Sequence, residues 1–381
     1  MKAKNPRMYL VLVGSICLSI VLPGIAAGDF QMTFFEEYLY VGGSGPGNYS
    51  TIQSAIDAAG DNAHIYVLDD NAPYYEHIVI DKPLVLHGEN RNTTIIDGSN
   101  TSDIISVYAE EVTIQGFTIQ HSGPISMRDA GIEFHADTGI VYDTIIRDNP
   151  GYSVGIYANS SSHHRFFNNT IFNIGNEGIY IQNSRNCSIY NNVIHHNGHC
   201  AIVLDTTEDT LVEYNNMYGN YATISLWPYT VNNEFRYNLL QNSSFSGMGI
   251  WRESNQNYIH HNLIVDVAGR GILLRETSGN RIISNIFQNC GLGIYINQST
   301  GTSVKTNNFI ENTEDAEFYE SYLTRWRRNY WDTNHRLFFK RITGSIIPFW
   351  DPDRLMEWPN FDLFPAQNPY DIETYPSWGL L

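Results

Sequence analysis

Short apolar stretches alternate with polar turns along the chain, and two motifs recur within them. The first is an asparagine followed by two apolar or near-apolar residues. It advances in steps of 22 to 24 residues, through Asn169, Asn192, Asn216, Asn238, Asn262, Asn285 and Asn308. The second is glycine, isoleucine, any residue and an apolar residue, with copies that begin at Gly131, Gly155, Gly178, Gly271 and Gly293. Both motifs are typical of short β-strands that bury one face.

A repeat of this length that already holds two or three strands leaves no room for a helix. The remaining solution is one chain wound into a coil, in which each turn stacks on the last and the strands of successive turns pair in parallel. Parallel crossovers are almost always right-handed. We therefore predict an all-β fold, a right-handed single-stranded parallel β-helix over residues 64–329, with roughly eleven coils. The asparagine column is expected to hydrogen-bond from coil to coil at one interior turn.

The two ends of a solenoid need covers, and the sequence offers one at each end. Residues 51–59, TIQSAIDAA, have the apolar spacing of a short amphipathic helix that Ser50 or Thr51 can cap. We predict an N-terminal cap over residues 29–63 that contains this helix. Residues 330–381 are rich in Trp and Pro and lack the repeat, so we predict an irregular C-terminal cap there.

The first 28 residues have the form of a secretory signal peptide. Lys2, Lys4 and Arg7 precede an uncharged apolar run at 8–22, and small residues stand before Asp29. An uncleaved anchor is the alternative. No second apolar run long enough to span a bilayer follows. We expect a secreted or cell-surface protein without a transmembrane segment in its mature chain.

Composition limits the classes of partner. Asp and Glu number 40 against 22 Lys and Arg, a formal net charge of −18, which argues against binding to nucleic acid or to an anionic membrane. Beyond residue 28 the cysteines are Cys187, Cys200 and Cys290, and an odd number does not form a disulfide framework.

Several stretches resemble known β-helix proteins. TIQSAIDAA, followed by YYEHIVIDKPLVLHGENRNTTIIDG, resembles the start of secreted right-handed parallel β-helix proteins of the pectin lyase-like superfamily. The asparagine and glycine repeats are similar to the β-helix region of NosD-type periplasmic proteins, and NYWD with the tail resembles archaeal cell-surface β-helix proteins. The resemblance implies the fold. It does not select a function, because the superfamily holds polysaccharide lyases, hydrolases, epimerases, adhesins and a copper-site maturation factor.

The outward residues of the glycine-motif strand suggest a ligand surface. Its third and fifth positions point away from the interior and carry aromatic rings among amides and a few charges. Rings and amides suit sugars, which offer flat C–H faces and many hydroxyls. The predicted substrate-binding residues are Tyr157, Tyr180, Trp227, Trp251 and Tyr295. An ordinary ladder of exposed rings is the alternative.

Three charged residues on this face are candidate catalytic residues. Asp205 and Glu253 would lie two coils apart, about 9–10 Å, near the upper end for an inverting glycosidase pair. Arg275, one coil beyond Glu253, suits the base of a lyase. The register of residues 247–253 stays open, because either Gly249 opens the strand and Trp251 and Glu253 face outward, or Arg252 stacks on Arg275. Solvated charges on a polar face are the alternative to catalysis.

The histidines form no metal motif that the repeat would bring together. The run HHNGHC holds His195, His196, His199 and Cys200, but the other histidine pairs fall at different phases of the coil. We predict no metal site and no cofactor, and leave calcium and copper open. The function that we expect is binding of polysaccharide or cell-surface glycan, and we leave open whether the protein also processes it as a hydrolase or lyase. The alternatives are a non-catalytic structural or adhesive protein and a NosD-like copper-site maturation or metal-handling factor.

Overall fold

The computed structural model describes residues 37–124, 129–333, 338–348, 350–352 and 354–375. The predicted signal peptide lies outside these residues. Three parallel β-sheets, which we call A, B and C, run along the molecule, and most coils contribute one short strand to each.

The strands of sheet A are Tyr38–Val41, Ala63–Val67, Leu84–Gly88, Thr113–Gln115, Ile140–Tyr142, Arg165–Phe167, Ser188–Tyr190, Leu211–Glu213, Glu234–Arg236, Tyr258–His260, Arg281–Ile283, Ser303–Lys305, Arg325–Arg327 and Asn360–Leu363. The strands of sheet B are Ile95–Asp97, Thr118–Gln120, Ile145–Arg147, Thr170–Phe172, Val193–His195, Asn216–Tyr218, Leu239–Gln241, Leu263–Val265, Ile286–Gln288, Asn308–Ile310 and Tyr330–Trp331. The strands of sheet C are Ile78–Ile80, Ile105–Val107, Ala130–Phe134, Val154–Asn159, Glu177–Gln182, Cys200–Asp205, Ala222–Leu226, Ser246–Trp251, Arg270–Arg275, Leu292–Asn297, Glu314–Tyr319 and Phe339–Ile346, which also pairs with Met356–Glu357.

The predicted parallel solenoid is confirmed, with about 13 turns rather than eleven. The extra turns lie at the ends. Tyr38–Val41 stacks on Ala63–Val67 before the first coil that the repeat reveals. Phe339–Ile346 joins sheet C after the repeat has stopped and pairs with Asn360–Leu363 in the antiparallel sense. Neither end carries the asparagine or glycine motif, so the repeat undercounts the turns.

A ladder of asparagines crosses the coils, as predicted, but two of the predicted residues are replaced in it by their neighbours. Each side-chain Nδ2 donates to the Oδ1 of the next rung at 3.0–3.1 Å, through Asn169, Asn192, Asn215, Asn238, Asn262, Asn285, Asn307 and Asn329. The predicted members Asn216 and Asn308 are wrong by one residue. At these two positions the first asparagine of the pair joins the ladder and the second opens the sheet B strand, where Asn216 pairs in register with Val193 and Leu239.

Both ends of the solenoid are covered. The helix Ile52–Ala58 buries Ile52, Ala55 and Ile56 over the first coils, and its N-cap Thr51 accepts a hydrogen bond from the Ser54 amide. At the other end the Asp362 carboxylate accepts from Asn329 Nδ2 at 2.9 Å and so terminates the asparagine ladder. Among the described residues no helix has the length and apolar character needed to cross a membrane.

Candidate functional site

Two outward rows of side chains run along sheet C. Register pairs place the third-position residues in one line, the inner row, which holds Glu133, Tyr157, Tyr180, Val203, Ser225, Gly249, Leu273 and Tyr295. The fifth-position residues form a parallel line, the outer row, which holds His135, Asn159, Gln182, Asp205, Trp227, Trp251, Arg275 and Asn297.

The register of residues 247–253 differs from both predicted alignments. Gly249 pairs with Leu273 and Trp251 pairs with Arg275, so Trp251 faces outward at the fifth position. Gly247 takes the place of the strand-opening glycine, because a Cβ there would lie 2.7 Å from the Gly271 carbonyl oxygen.

Glu253 therefore does not share the outward rows with Asp205. It lies exposed in the turn after the strand, where its backbone N–H donates to the Glu276 carbonyl at 2.8 Å. The proposed pairing of Glu253 with Asp205 across two coils is wrong, because the strand ends two residues before Glu253.

Tyr157 and Tyr180 do not offer their faces to a ligand. Their exposed fractions are 5 % and 1 %, because the rings lie in an apolar layer over sheet C that Trp227 and Phe245 border. The prediction that these two rings stack on sugars is corrected accordingly. Their hydroxyls do reach the outer row: that of Tyr157 donates to Gln182 Oε1 at 3.0 Å, and that of Tyr180 donates to Asp205 Oδ2 at 2.9 Å.

Three donors hold the Asp205 carboxylate. Besides Tyr180, Gln182 Nε2 donates to Oδ2 at 2.8 Å and the Thr206 hydroxyl donates to Oδ1 at 3.0 Å. A carboxylate that accepts from three donors is fixed in its orientation. Asp205 is therefore suited to accept hydrogen bonds from a ligand.

Three of the predicted residues converge on one shallow cavity. Trp227, Trp251 and Arg275, with Pro228 and Arg252, line a space of about 360 Å³ that we call the tryptophan cleft. Both indoles are half-buried, and Trp251 Nε1 donates to the Ser225 hydroxyl at 3.2 Å. Tyr180 packs edge-on against Trp227, with ring centroids 5.6 Å apart. Contacts with Tyr180 and Ser225 thus fix the two indoles on the side of sheet C, while part of each indole remains exposed to solvent.

Tyr295 lies outside the tryptophan cleft. It follows Leu273 in the inner row, and the Arg270 guanidinium lies 5.2 Å from its ring centroid. Burial, followed by the Glu317 carboxylate, raises the pKa of its hydroxyl. Its ring is therefore committed to a cation–π contact.

A carboxyl pair stands at the N-terminal end of the same rows. Glu133 precedes Tyr157 in the inner row, and its carboxyl group hydrogen-bonds to that of Asp103. Burial, the hydrogen bond to Asp103 and the charges of Asp103 and Asp129 raise the pKa of Glu133 to about 8. Two carboxyl groups in such contact cannot both ionise, so Glu133 carries the proton at neutral pH.

A histidine completes this group. His135 Nε2 lies 3.5 Å from Glu133 Oε2, and the His135 ring stacks on Tyr108 at 4.5 Å. Because His135 opens the outer row, the carboxyl pair faces the line of groups that leads to Asp205 and Trp227. A carboxyl group that is protonated at pH 7 beside an imidazole is equipped for general acid catalysis.

The sequence contains a partial signal for this group. Glu133 and His135 stand at the third and fifth positions of the GIEFH copy and so share a face with Tyr157. Their partners Asp103 and Asp129 come from turns of irregular length, so no spacing connects them with Glu133. Sequence reasoning therefore missed the carboxyl pair.

Known proteins share this architecture. Residues 85–240 match the family model described as "Right handed beta helix region". The chain has the right-handed parallel β-helix fold. Residues 245–337 of this β-helix protein match the family model "Periplasmic copper-binding protein (NosD)". A search of curated proteins found no significant relative.

Solved structures agree with the fold of the β-helix protein. The A-module of mannuronan C-5 epimerase AlgE4 from Azotobacter vinelandii matches 72% of this chain and 90% of its own, with 13% identity and a TM-score of 0.56. The AlgE6 A-module from the same organism matches 77% and 82%, with 15% identity and a TM-score of 0.52. DFA-IIIase from Arthrobacter chlorophenolicus matches 68% and 77%, with 16% identity and a TM-score of 0.53. At these identities the similarity shows the fold alone.

The second family model is named for copper binding, and His and Cys side chains are the donors that suit copper. The HHNGHC run does not converge: His195 stacks between Phe172 and Tyr218 on sheet B, whereas His199 contacts Glu177 at 3.1 Å beside sheet C. Cys200 is buried, and burial raises the pKa of its thiol well above the usual value, which disfavours the thiolate that binds metal.

The remaining histidine pair of interest lies within the NosD match. His260 and His261 approach through their Nδ1 atoms at 2.7 Å, and His260 Nε2 contacts Glu234 at 2.9 Å. Within the described ranges of the β-helix protein, no group of three or more His, Cys, Asp or Glu is arranged to hold a metal ion. The described side chains therefore do not fit a resident copper ion.

Proposed function

We propose that the protein binds a polysaccharide along the outward face of sheet C and acts on it with Glu133 as a general acid. One observation carries the proposal. The protonated Glu133 carboxyl group lies at the end of the inner row, and the outer row beside it holds Asp205 and the tryptophans of the cleft. A binding face and a proton donor thus share one surface.

The spacing of the rows suits an extended chain of sugars. His135 and Trp227 are four coils apart in the outer row, about 19 Å at the spacing of paired strands. Between them lie Asn159, Gln182 and Asp205, which supply amide and carboxylate partners for hydroxyls. The indoles at one end offer apolar surface to a ring, and the carboxyl pair at the other end offers a proton.

The residues then take distinct roles. In hydrolysis, Glu133 donates its proton to the glycosidic oxygen, and the bond between that oxygen and the anomeric carbon breaks. The oxygen leaves as a hydroxyl group, while a water molecule adds its hydroxyl to the anomeric carbon and its other proton returns to the Glu133 carboxylate. Asp103 is the hydrogen-bond partner that positions Glu133. Trp227 and Trp251 contact a sugar ring, while Asp205 and Arg275 bind its polar groups. Glu253, in the turn beyond the strand, has no part in this reaction. The activity class is a polysaccharide hydrolase or lyase that works outside the cytoplasm, secreted or at the cell surface.

A panel of soluble polysaccharides tests the proposal. Retention of the protein on one of them, followed by product analysis, is expected to show shortened chains. Retention without products for any retained polysaccharide would favour the non-catalytic adhesive alternative. Absence of retention across the panel would contradict glycan binding itself.

A further inference from the structure

The exposed apolar side chains are unevenly distributed. Among the described residues, the exposed Trp, Phe and Leu side chains all lie within residues 322–364, whereas the other large exposed apolar side chains are tyrosines and Val79. We call these residues the terminal patch: Leu323, Phe338, Phe339, Trp350, Leu355, Trp358, Phe361, Leu363 and Phe364. A concentration of this kind on a protein surface marks an interaction site.

The order of side chains in the last strands explains the patch. In Asn360–Leu363 the charged Asp362 points inward to the asparagine ladder, so Phe361 and Leu363 point outward. In the neighbouring strand Trp326 points inward, while Arg325 and Arg327 point outward. Because Arg327 pairs with Leu363, guanidinium groups and apolar side chains lie side by side.

The local charge is opposite to that of the whole chain. Residues 321–370 carry seven Lys and Arg against five Asp and Glu, in a chain of net charge −18. The exposed cations there are Arg325, Arg327, Arg328, Arg341 and Arg354. The negative charge of the whole chain therefore argues against an anionic partner for the surface outside residues 321–370, but not for the terminal patch.

Two grooves give the terminal patch its shape. Tyr322, Trp350 and Trp358 line a cavity of about 430 Å³, and the Trp358 amide donates to the Gly344 carbonyl at 2.8 Å. Arg325 and Phe361 line a second cavity of about 470 Å³. The Trp358–Gly344 hydrogen bond attaches the Trp358 backbone to the last strand of sheet C.

We propose that the terminal patch docks on the surface of an anionic lipid bilayer. Trp, Phe and Leu insert at the headgroup boundary, and arginines beside them attract anionic headgroups. Contact between the patches of two copies would instead bring their arginines together. The acidic coils are repelled by the same lipids, so the solenoid stands end-on, with the tryptophan cleft and the Glu133 carboxyl group away from the membrane.

Vesicle sedimentation with the full chain tests the proposal. The probes are phosphatidylcholine vesicles with and without phosphatidylglycerol, at low salt. We expect binding to the anionic vesicles that weakens as salt rises. W350S/W358S and R325Q/R327Q should each bind more weakly, the second by about thirtyfold at the usual contribution of an arginine near an anionic surface.

The matched control is Y75S/Y229S, which removes exposed rings elsewhere and should bind like the native protein. Native protein that fails to bind the anionic vesicles, or that self-associates in sedimentation velocity without binding them, would overturn the proposal. Equal binding of the patch variants and the control would also overturn it. Every variant retains the apolar run at 8–22, so equal binding would assign the vesicle contact to that run or to another part of the chain, and not to the terminal patch.

Discussion

The carboxyl group of Glu133 hydrogen-bonds to the carboxyl group of Asp103, whose Oδ1 also accepts from the Ala130 amide at 2.6 Å. Burial and the neighbouring carboxyl groups raise the pKa of Glu133 to about 8, so Glu133 carries its proton at neutral pH. The fold thus maintains a neutral glutamic acid on its surface. The first prediction concerns what this proton does to stability.

Glu133→Gln should change how the free energy of unfolding depends on pH. The pKa of Glu133 is about 8 in the folded protein and near 4.5 when unfolded, so the folded state binds the extra proton between these values. Native stability should therefore fall as pH rises from about 4.5 through 8. The variant has no proton to lose there, and urea unfolding at pH 5 and pH 8 should show a smaller fall. Glu110→Gln, at an exposed glutamate, is the control, and a native-like fall in Glu133→Gln would contradict the assignment.

His164 should govern the acid side of the stability curve. It is fully buried, its Nδ1 accepts from the Gly139 amide at 3.1 Å, and burial lowers its pKa to about 4. The unfolded state binds the proton first, so stability present above pH 6.5 should be lost as pH falls through 4, by about 3 kcal/mol in total. Thermal unfolding between pH 7 and pH 4 measures this loss. His163→Gln should retain it, and a loss that persists undiminished in a folded His164→Gln variant would argue against His164.

Adjacent asparagines should differ sharply in their importance for stability. Asn215 Nδ2 donates to Asn238 Oδ1 at 3.0 Å and its own Oδ1 accepts from Asn192, whereas Asn216 lies in line with Val193. Asn215→Leu leaves several buried partners unpaired and should cost about 2 kcal/mol. Asn216→Leu removes only the hydrogen bond that Gln241 Nε2 donates at 3.1 Å, so it should cost about 1 kcal/mol or less. Urea unfolding of the two variants gives the comparison. Equal costs would contradict the position of the asparagine ladder.

Much of the fold follows from the periodicity of the sequence. The errors in the ladder and in the register of residues 247–253 arise where two neighbouring residues fit the repeat equally well. The glycines at 131, 155 and 178 stack in register because close strand packing leaves no room for a side chain, and that requirement repeats in the sequence. In a double asparagine either residue satisfies the motif, so the repeat does not distinguish Asn215, which joins the ladder, from Asn216, which was predicted. Either Gly247 or Gly249 could open the strand by its local sequence. Only the close approach of Gly247 to Gly271 in the next coil shows that Gly247 does so.

The site was less predictable because burial and pairing depend on side chains from several coils. The outward direction of Tyr180 follows from alternation, but its burial depends on Trp227 and its neighbours closing over it. The Glu133 and Asp103 pair joins strands separated by an irregular turn. Both tryptophans of the cleft were candidate ligand contacts from the sequence, and the structure aligns them because the preceding residues Leu226 and Ile250 pair in register.

Trp227→Ala should weaken binding of any retained polysaccharide by about 1–2 kcal/mol, the scale of an aromatic contact. Trp251→Ala should act similarly, because both rings line the tryptophan cleft. Affinity electrophoresis in that polysaccharide measures the loss. Tyr75→Ala, at an exposed ring outside the tryptophan cleft, should leave mobility unchanged. Native retention by the double tryptophan variant would show that the glycan lies elsewhere.

The pH–rate profile of Glu133→Gln tests the central claim most directly. With the polysaccharide that the native protein cleaves, kcat should decline as pH rises through about 8, where Glu133 loses its proton. Glu133→Gln should retain binding, lose kcat by a factor of about 100 or more, and lose that falling limb, whereas Asp205→Asn should chiefly raise KM. A Glu133→Gln variant with native kcat and the same falling limb would contradict the account.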